Sequence, residues 1–132
     1  MPRRVCIAAT LQAVSEFTPG LDDLLNFLSL ATRTGLVLAV QELCVNIVEH
    51  AYAGTPGTIE IELDLDADHL SITVHDRATQ HYTPPERIEA PDPQSPPEGS
   101  LGIFIIHQVF DRVEYEPLEN GNRWTLFKWL GG

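Results

Sequence analysis

From Ile59 to Asp66 the chain alternates residue by residue. Ile59, Ile61, Leu63 and Leu65 fall on one side, and Glu60, Glu62, Asp64 and Asp66 on the other. A two-residue period of this kind predicts a strand with one buried face. "LSITVHD" repeats it through Leu70, Ile72 and Val74, and the short "DADH" link makes the two strands a hairpin. At the front, residues 4–10, "RVCIAAT", form another β-rich segment. Helical spacing appears in "LDDLLNFLSLATRT", where Leu21, Leu24, Leu25, Leu28 and Ala31 recur every three or four residues after a turn at Pro19–Gly20. Asp22 and Asp23 stand near the end of that helix that favours acids. Gly35 divides it from a second helix, running roughly from Leu36 to Tyr52 and stopping near Gly54 and Pro56.

Residues 79–98 follow neither period. Six of the ten prolines lie between Pro84 and Pro97, which predicts a long irregular loop of the kind that serves as a lid or stays disordered. Beyond it, "GSLGIFIIHQVF" predicts a third helix reached through glycines, and "DRVEYEP" with "NRWTLFKWL" predicts a closing hairpin around Asn120–Gly121. The order is β, α, α, β, β, lid, α, β, β, without internal repeats. Helices must then cover one face of a mixed, mostly antiparallel sheet, giving an α+β two-layer sandwich with residues 1–132 as one domain.

Composition narrows the chemistry. With 132 residues and 43% apolar side chains the chain buries a real core. Its net charge of −11, from 19 acidic against 8 basic residues, argues against a direct nucleic-acid partner, which needs a basic face. No Lys or Arg lies between Arg33 and Arg77, so a nucleotide bound there needs backbone amides, a metal ion or basic residues from elsewhere. Cys6 and Cys44 sit among apolar neighbours without metal spacing and read as buried reduced thiols. "MPRRV" has no apolar targeting core behind it, and the apolar runs are short for a membrane span. The expectation is a soluble, cytoplasmic protein with no membrane contact.

The candidate chemistry sits on the second helix. In "QELCVNIVEHAY", Glu42, Asn46 and His50 advance about 40° per step, with Glu49 beside them and Leu36, Val40, Leu43, Ile47 and Ala51 opposite. A solvated face is the plain alternative. Asn, however, is a poor interior helix former, and a stripe without basic residues repels itself unless something cationic, such as a divalent ion with bound phosphates, lies nearby. Asp76 closes the second hairpin strand at "HDRA". A strand-end acid is often a turn residue, but beside a crevice it also accepts a hydrogen bond from an exocyclic amine such as that of adenine. Gly99 and Gly102 flank the start of the third helix, where backbone approaches a ligand closely and free amides suit phosphate.

Together these segments resemble the anti-sigma-factor serine/threonine kinases, stand-alone members of the GHKL superfamily of histidine-kinase-like ATPases, along nearly the whole chain. "QELCVNIVEHAY" is similar to the family's N-box, "HDRA" to its adenine-binding box, "GSLGIFIIHQVFDRVEYE" to its second glycine box and "GNRWTLFKWL" to its closing strand. The resemblance implies the Bergerat fold, ATP and Mg²⁺ as cofactors, and an ATP lid at about 79–98. It implies Glu42 as general base, Asn46 as the Mg²⁺ ligand and Asp76 as the contact to the adenine amine. Ala78, Gly99, Ser100, Leu101, Gly102 and Thr125 would complete the nucleotide site. It further implies a sigma factor or a STAS-type anti-sigma antagonist as partner, and a homodimer. Ala78 and Gln80 stand where the family usually has glycine, and Ser100 replaces one of two adjacent glycines. Alanine tolerates a left-handed backbone poorly, so these departures count against nucleotide affinity and favour a second reading, a partner-sequestering module without kinase activity. A histidine-kinase fragment is the weakest reading, since no helix is left to carry a phospho-accepting histidine and to dimerise.

Overall fold

A computed structural model describes residues 2–82 and 100–130. Five strands, β1 (Pro2–Ala8), β2 (Thr58–Leu65), β3 (His69–Asp76), β4 (Arg112–Leu118) and β5 (Gly121–Trp129), form one sheet in the order β1-β2-β3-β5-β4. All four pairings are antiparallel, so the expected mixed sheet is fully antiparallel among the described residues. The last hairpin is the reason: β5 inserts between β3 and β4 and runs against both.

The predicted alternation sets the layers. Ile59, Ile61 and Leu63 on β2, Leu70, Ile72 and Val74 on β3, and Trp124 and Leu126 on β5 are buried under the helices. The β2–β3 link is held by the Asp66 carboxylate, which accepts from the Asp68 and His69 amides at 2.8 and 3.0 Å. Those amides hold its carboxyl below the usual range.

The helices depart from the expected boundaries. α1 spans Leu11–Leu24 and α2 spans Leu30–Asn46, so Pro19 and Gly20 lie inside the first and Gly35 inside the second. Thr10 caps α1 by accepting from Ala13 N, and Ser29 caps α2 by accepting from Thr32 N. Proline inside a helix leaves the carbonyl four residues back without its amide donor. Here that carbonyl belongs to Ser15, and the Thr18 hydroxyl donates to it at 3.2 Å. Gly35 is no boundary, because it lies where α3 (Ser100–Val109) approaches, with Val109 Cγ2 3.8 Å from where its Cβ would be.

A π-helical turn, Ile47–Ala51, extends α2, and Tyr52 N donates five residues back to Ile47 O at 2.9 Å. The continuous helix Leu30–Ala51 is long and apolar enough to cross a membrane by length and composition. Its apolar side is committed to the core, where Leu36, Ala39, Val40, Leu43 and Cys44 are buried. Cys44 behaves as expected, with burial pushing its thiol up to about 12. Cys6 does not. It is exposed, because Val5 and Ile7 take the inward phase of edge strand β1 and leave Cys6 on the outer face beside Glu60.

Candidate functional site

Glu42 and Asn46 lie one turn apart on α2, both half-buried, and α3 crosses them at Gly102. A Cβ at Gly102 would stand 3.1 Å from Asn46 Nδ2, 3.2 Å from Glu42 Oε2 and 3.3 Å from Glu42 Cβ. Only glycine allows this approach without displacement, so the backbone near the start of α3 is brought against the carboxylate and the amide. Asn46 Nδ2 is buried without a partner among the described residues. An unanswered amide atom buried in water-poor surroundings is costly unless a ligand or solvent completes it. His50 falls within the π turn, whose wider winding rotates the residues it carries, so His50 does not continue the Glu42–Asn46 stripe by one regular turn.

The second half of the site is the end of β3. Asp76 is 1% exposed, its Oδ1 accepting from Ala78 N and from Asn122 Nδ2, each at 2.9 Å. Its Oδ2 is buried and has no partner among the described residues. Burial pushes the Asp76 carboxyl above the usual carboxylate range, against the opposing effect of the hydrogen bonds from Asn122 and Ala78.

Two glycines make this arrangement possible. Gly121, at φ +151°, lets β5 pass so close that a Cβ there would collide with the Asp76 carbonyl oxygen. The hairpin turn is therefore Glu119–Asn120, one residue earlier than expected, with Gly121 opening β5. Gly57 leaves room for the ring of Tyr52, whose hydroxyl donates to Thr58 O and accepts from Arg77 N at 2.9 Å. Tyr52 thus ties the end of the α2 segment to the residue after Asp76.

The structure brings Glu42, Asn46 and Gly102 together and leaves Asp76 and Ala78 adjacent at the strand end. Ala78 is buried, and neither it nor Gln80 adopts a positive φ; Ala53 is the one non-glycine residue that does among those described. The glycine departures at these two positions therefore carry no backbone strain. Ser100 and Leu101 open α3, while Gly99 and nearly all of the expected lid at 79–98 lie outside the described residues.

Thr125 is placed elsewhere. It pairs with Thr73 on the outer phase of the sheet, whereas Asp76, Val74 and Trp124 face inward. The β5 residue that reaches Asp76 is Asn122, which the sequence reading missed. The signal was available: Asn122 shares the inward phase of Trp124 and Leu126, an amide where alternation demands an apolar side chain.

Among the described residues no group of three or more His, Cys, Asp or Glu side chains is placed to hold a metal. Mg²⁺ does not need one, since it takes one or two protein ligands and fills its shell with phosphate and water oxygens. Asn46 can offer such an ion its amide oxygen, while its unpartnered Nδ2, which only donates, fits a phosphate or water oxygen beside the Gly102 backbone. The unpartnered Asp76 Oδ2 fits an exocyclic amine.

A match to the family described as histidine kinase-like ATPase domain spans residues 7–129. The serine-protein kinase RsbW of Halalkalibacterium halodurans is 32% identical over 122 residues, covering 82% of this chain and 74% of that protein. The serine-protein kinase RsbW of Bacillus mycoides is 32% identical over 83 residues, covering 58% of this chain and 52% of that protein, so the match spans about half the length of that relative. Among solved structures, the RsbU and RsbW domains of a Mycobacterium tuberculosis protein share the fold at a TM-score of 0.68. That likeness covers 97% of this chain and 31% of the other at 18% identity.

Proposed function

This chain belongs to the histidine kinase-like ATPase domain family, and on that premise we propose that it is an ATP-dependent protein serine/threonine kinase acting on an anti-sigma antagonist. The single observation that carries the reading is the meeting of Glu42, Asn46 and Gly102 within the contact distances of one would-be methyl group. Phosphoryl transfer asks the protein chiefly for positioning and charge stabilisation, and this cluster joins a base, an amide ligand and a close backbone.

In this reading Asp76 Oδ2 accepts from the six-amino group of adenine, and the Gly102 backbone leaves room for the phosphates. Asn46 would hold Mg²⁺, which when bound neutralises phosphate charge. Glu42 takes the proton of the incoming serine or threonine hydroxyl as its oxygen bonds to the γ-phosphorus and ADP departs.

The partner is a sigma factor or a STAS-type antagonist, and the working form is a homodimer in the cytoplasm, with residues 1–132 as one ATP-binding domain. The similarity to serine-protein kinases supports the kinase, and the net charge of −11 supports a partner other than nucleic acid. A sequestering module drew its support from Ala78 and Gln80, and the absence of a positive φ at either removes the strain argument behind it.

The test is incubation of the chain with Mg²⁺, ATP labelled at the γ position and purified STAS-type antagonists. The kinase reading expects label on a serine or threonine of one antagonist. Tight ATP binding with no transfer to any antagonist would leave the sequestering module.

A further inference from the structure

Asn122 is 2% exposed, and groups of fixed polarity dictate every hydrogen-bond direction around it. The Gln80 carbonyl only accepts, so the Asn122 atom 3.1 Å from it is the NH₂ nitrogen. Asn122 Oδ1 then faces the Tyr115 hydroxyl at 2.5 Å, and that hydroxyl must donate. The same hydroxyl oxygen accepts from the Tyr82 amide, a group that only donates, at 2.9 Å. The remaining N–H of Asn122 points at Asp76 Oδ1. The amide has no alternative orientation that satisfies Gln80 and Tyr115 together.

Packing holds the relay in place. The Tyr115 ring lies 4.7 Å from the Trp124 ring and 5.5 Å edge-on from that of Tyr82, and Tyr82 is 5.3 Å from Trp124. Because Asn122 and Ala78 both donate to Oδ1, the Asp76 carboxylate cannot exchange its two oxygens without breaking two hydrogen bonds. Oδ2 is left as the one acceptor on offer.

We infer that Asn122, locked by Tyr115 and Gln80, is a specificity-determining positioning residue that fixes Asp76 with Oδ2 towards the nucleobase and so sets the preference for a purine bearing a six-amino group. The inference rests on the adenine reading above and deepens it. Without Asn122 the carboxylate rotates, and its acceptor is no longer aimed at one point. The preference for the amine then decays, while contacts to ribose and phosphates persist.

The test compares ATP with purine riboside triphosphate, which lacks only the six-amino group, by calorimetric titration with Mg²⁺. Wild type should bind ATP roughly tenfold or more tightly, about the worth of one good buried hydrogen bond. In Asn122→Ala the two affinities should converge to within about threefold, mainly through weaker ATP binding, and Tyr115→Phe should narrow the gap in the same direction. A general structural defect would instead weaken both ligands in parallel. An undiminished ATP preference in a folded Asn122→Ala overturns the inference; should that variant fail to fold, Tyr115→Phe decides it on the same criterion. If wild type itself binds the two triphosphates equally, the adenine role of Asp76 falls, and the inference with it.

Discussion

Gly102→Ala separates the stability of the fold from the geometry of its site. The added methyl would sit 3.1 Å from Asn46 Nδ2, 3.2 Å from Glu42 Oε2 and 3.3 Å from Glu42 Cβ, a few tenths of an ångström inside ordinary contact at about 3.5–4.0 Å. The amide nitrogen and the carboxylate oxygen are ends of side chains and move aside. The Glu42 Cβ moves only with α2, so part of the overlap passes into the helix–helix spacing. Crowding of this size costs about 1 kcal/mol, at the low end of overpacking. Replacing glycine by alanine in a helix returns up to about 1 kcal/mol. Stability by urea denaturation should therefore stay within about 1 kcal/mol of wild type. Single-turnover transfer should nevertheless fall about 10- to 100-fold, because the side chains that yield are the proposed base and the proposed metal ligand, and misplacement by about 1 Å costs on the order of 10² in rate. Wild-type transfer in a stable variant would refute the idea that Gly102 serves the site. A stability loss above about 3 kcal/mol would show that the contact belongs to the rigid core instead.

Asp76→Asn should weaken ATP binding by roughly 1.5–3 kcal/mol in calorimetric titration, since it replaces an ionised acceptor by a neutral amide. Its effect on stability runs the other way. Burial raises the folded-state pKa of Asp76, so the stability gained by protonating it is full below the unfolded carboxylate range and lost as pH rises through the folded value. Without nucleotide the variant should therefore melt at or above the wild-type temperature at pH 7 and lack that part of the pH slope; a melting point several degrees lower would contradict the burial argument. Gly121→Ala should cost at least about 3 kcal/mol by denaturant unfolding, because a methyl there collides with the Asp76 carbonyl oxygen in a backbone region suited to glycine; near-native stability would refute that packing. Native protein should present one fast thiol, Cys6, to an alkylating reagent, with Cys44 labelled only on unfolding; protection of both in the folded monomer would contradict the exposed outer face.

What the sequence disclosed divides along the line between local periodicity and contact. The alternation of Ile59, Ile61 and Leu63 against Glu60 and Glu62 showed a buried face directly, and β2 and β3 obey it. The pair Glu42 and Asn46 was legible because four-residue spacing survives in any regular helix. The first helix was misplaced because Pro19–Gly20 reads locally as a turn, and nothing in the neighbouring letters shows that Thr18 returns a donor to Ser15 O. Gly35 and Gly121 look alike in the sequence, yet one is spaced for a crossing helix and the other for a backbone contact at the end of β3. The family resemblance points to Thr125 and is silent on Asn122, whereas strand phase decides which β5 residue reaches Asp76. Cys6 was misjudged for the same reason, since an edge strand buries only alternate residues.

The central claim, that Glu42 is the base of a phosphoryl transfer, is tested most directly by single-turnover transfer from labelled ATP in Glu42→Gln, with ATP affinity measured in parallel. The substitution keeps the shape of the side chain and the helix but cannot accept the hydroxyl proton. The account predicts near-wild-type ATP affinity with transfer reduced about 10²- to 10⁴-fold. Asn46→Ala should lose Mg²⁺-dependent binding as well as transfer. Transfer by Glu42→Gln to a genuine antagonist at the wild-type rate would contradict the account and return the α2 stripe to an ordinary solvated face.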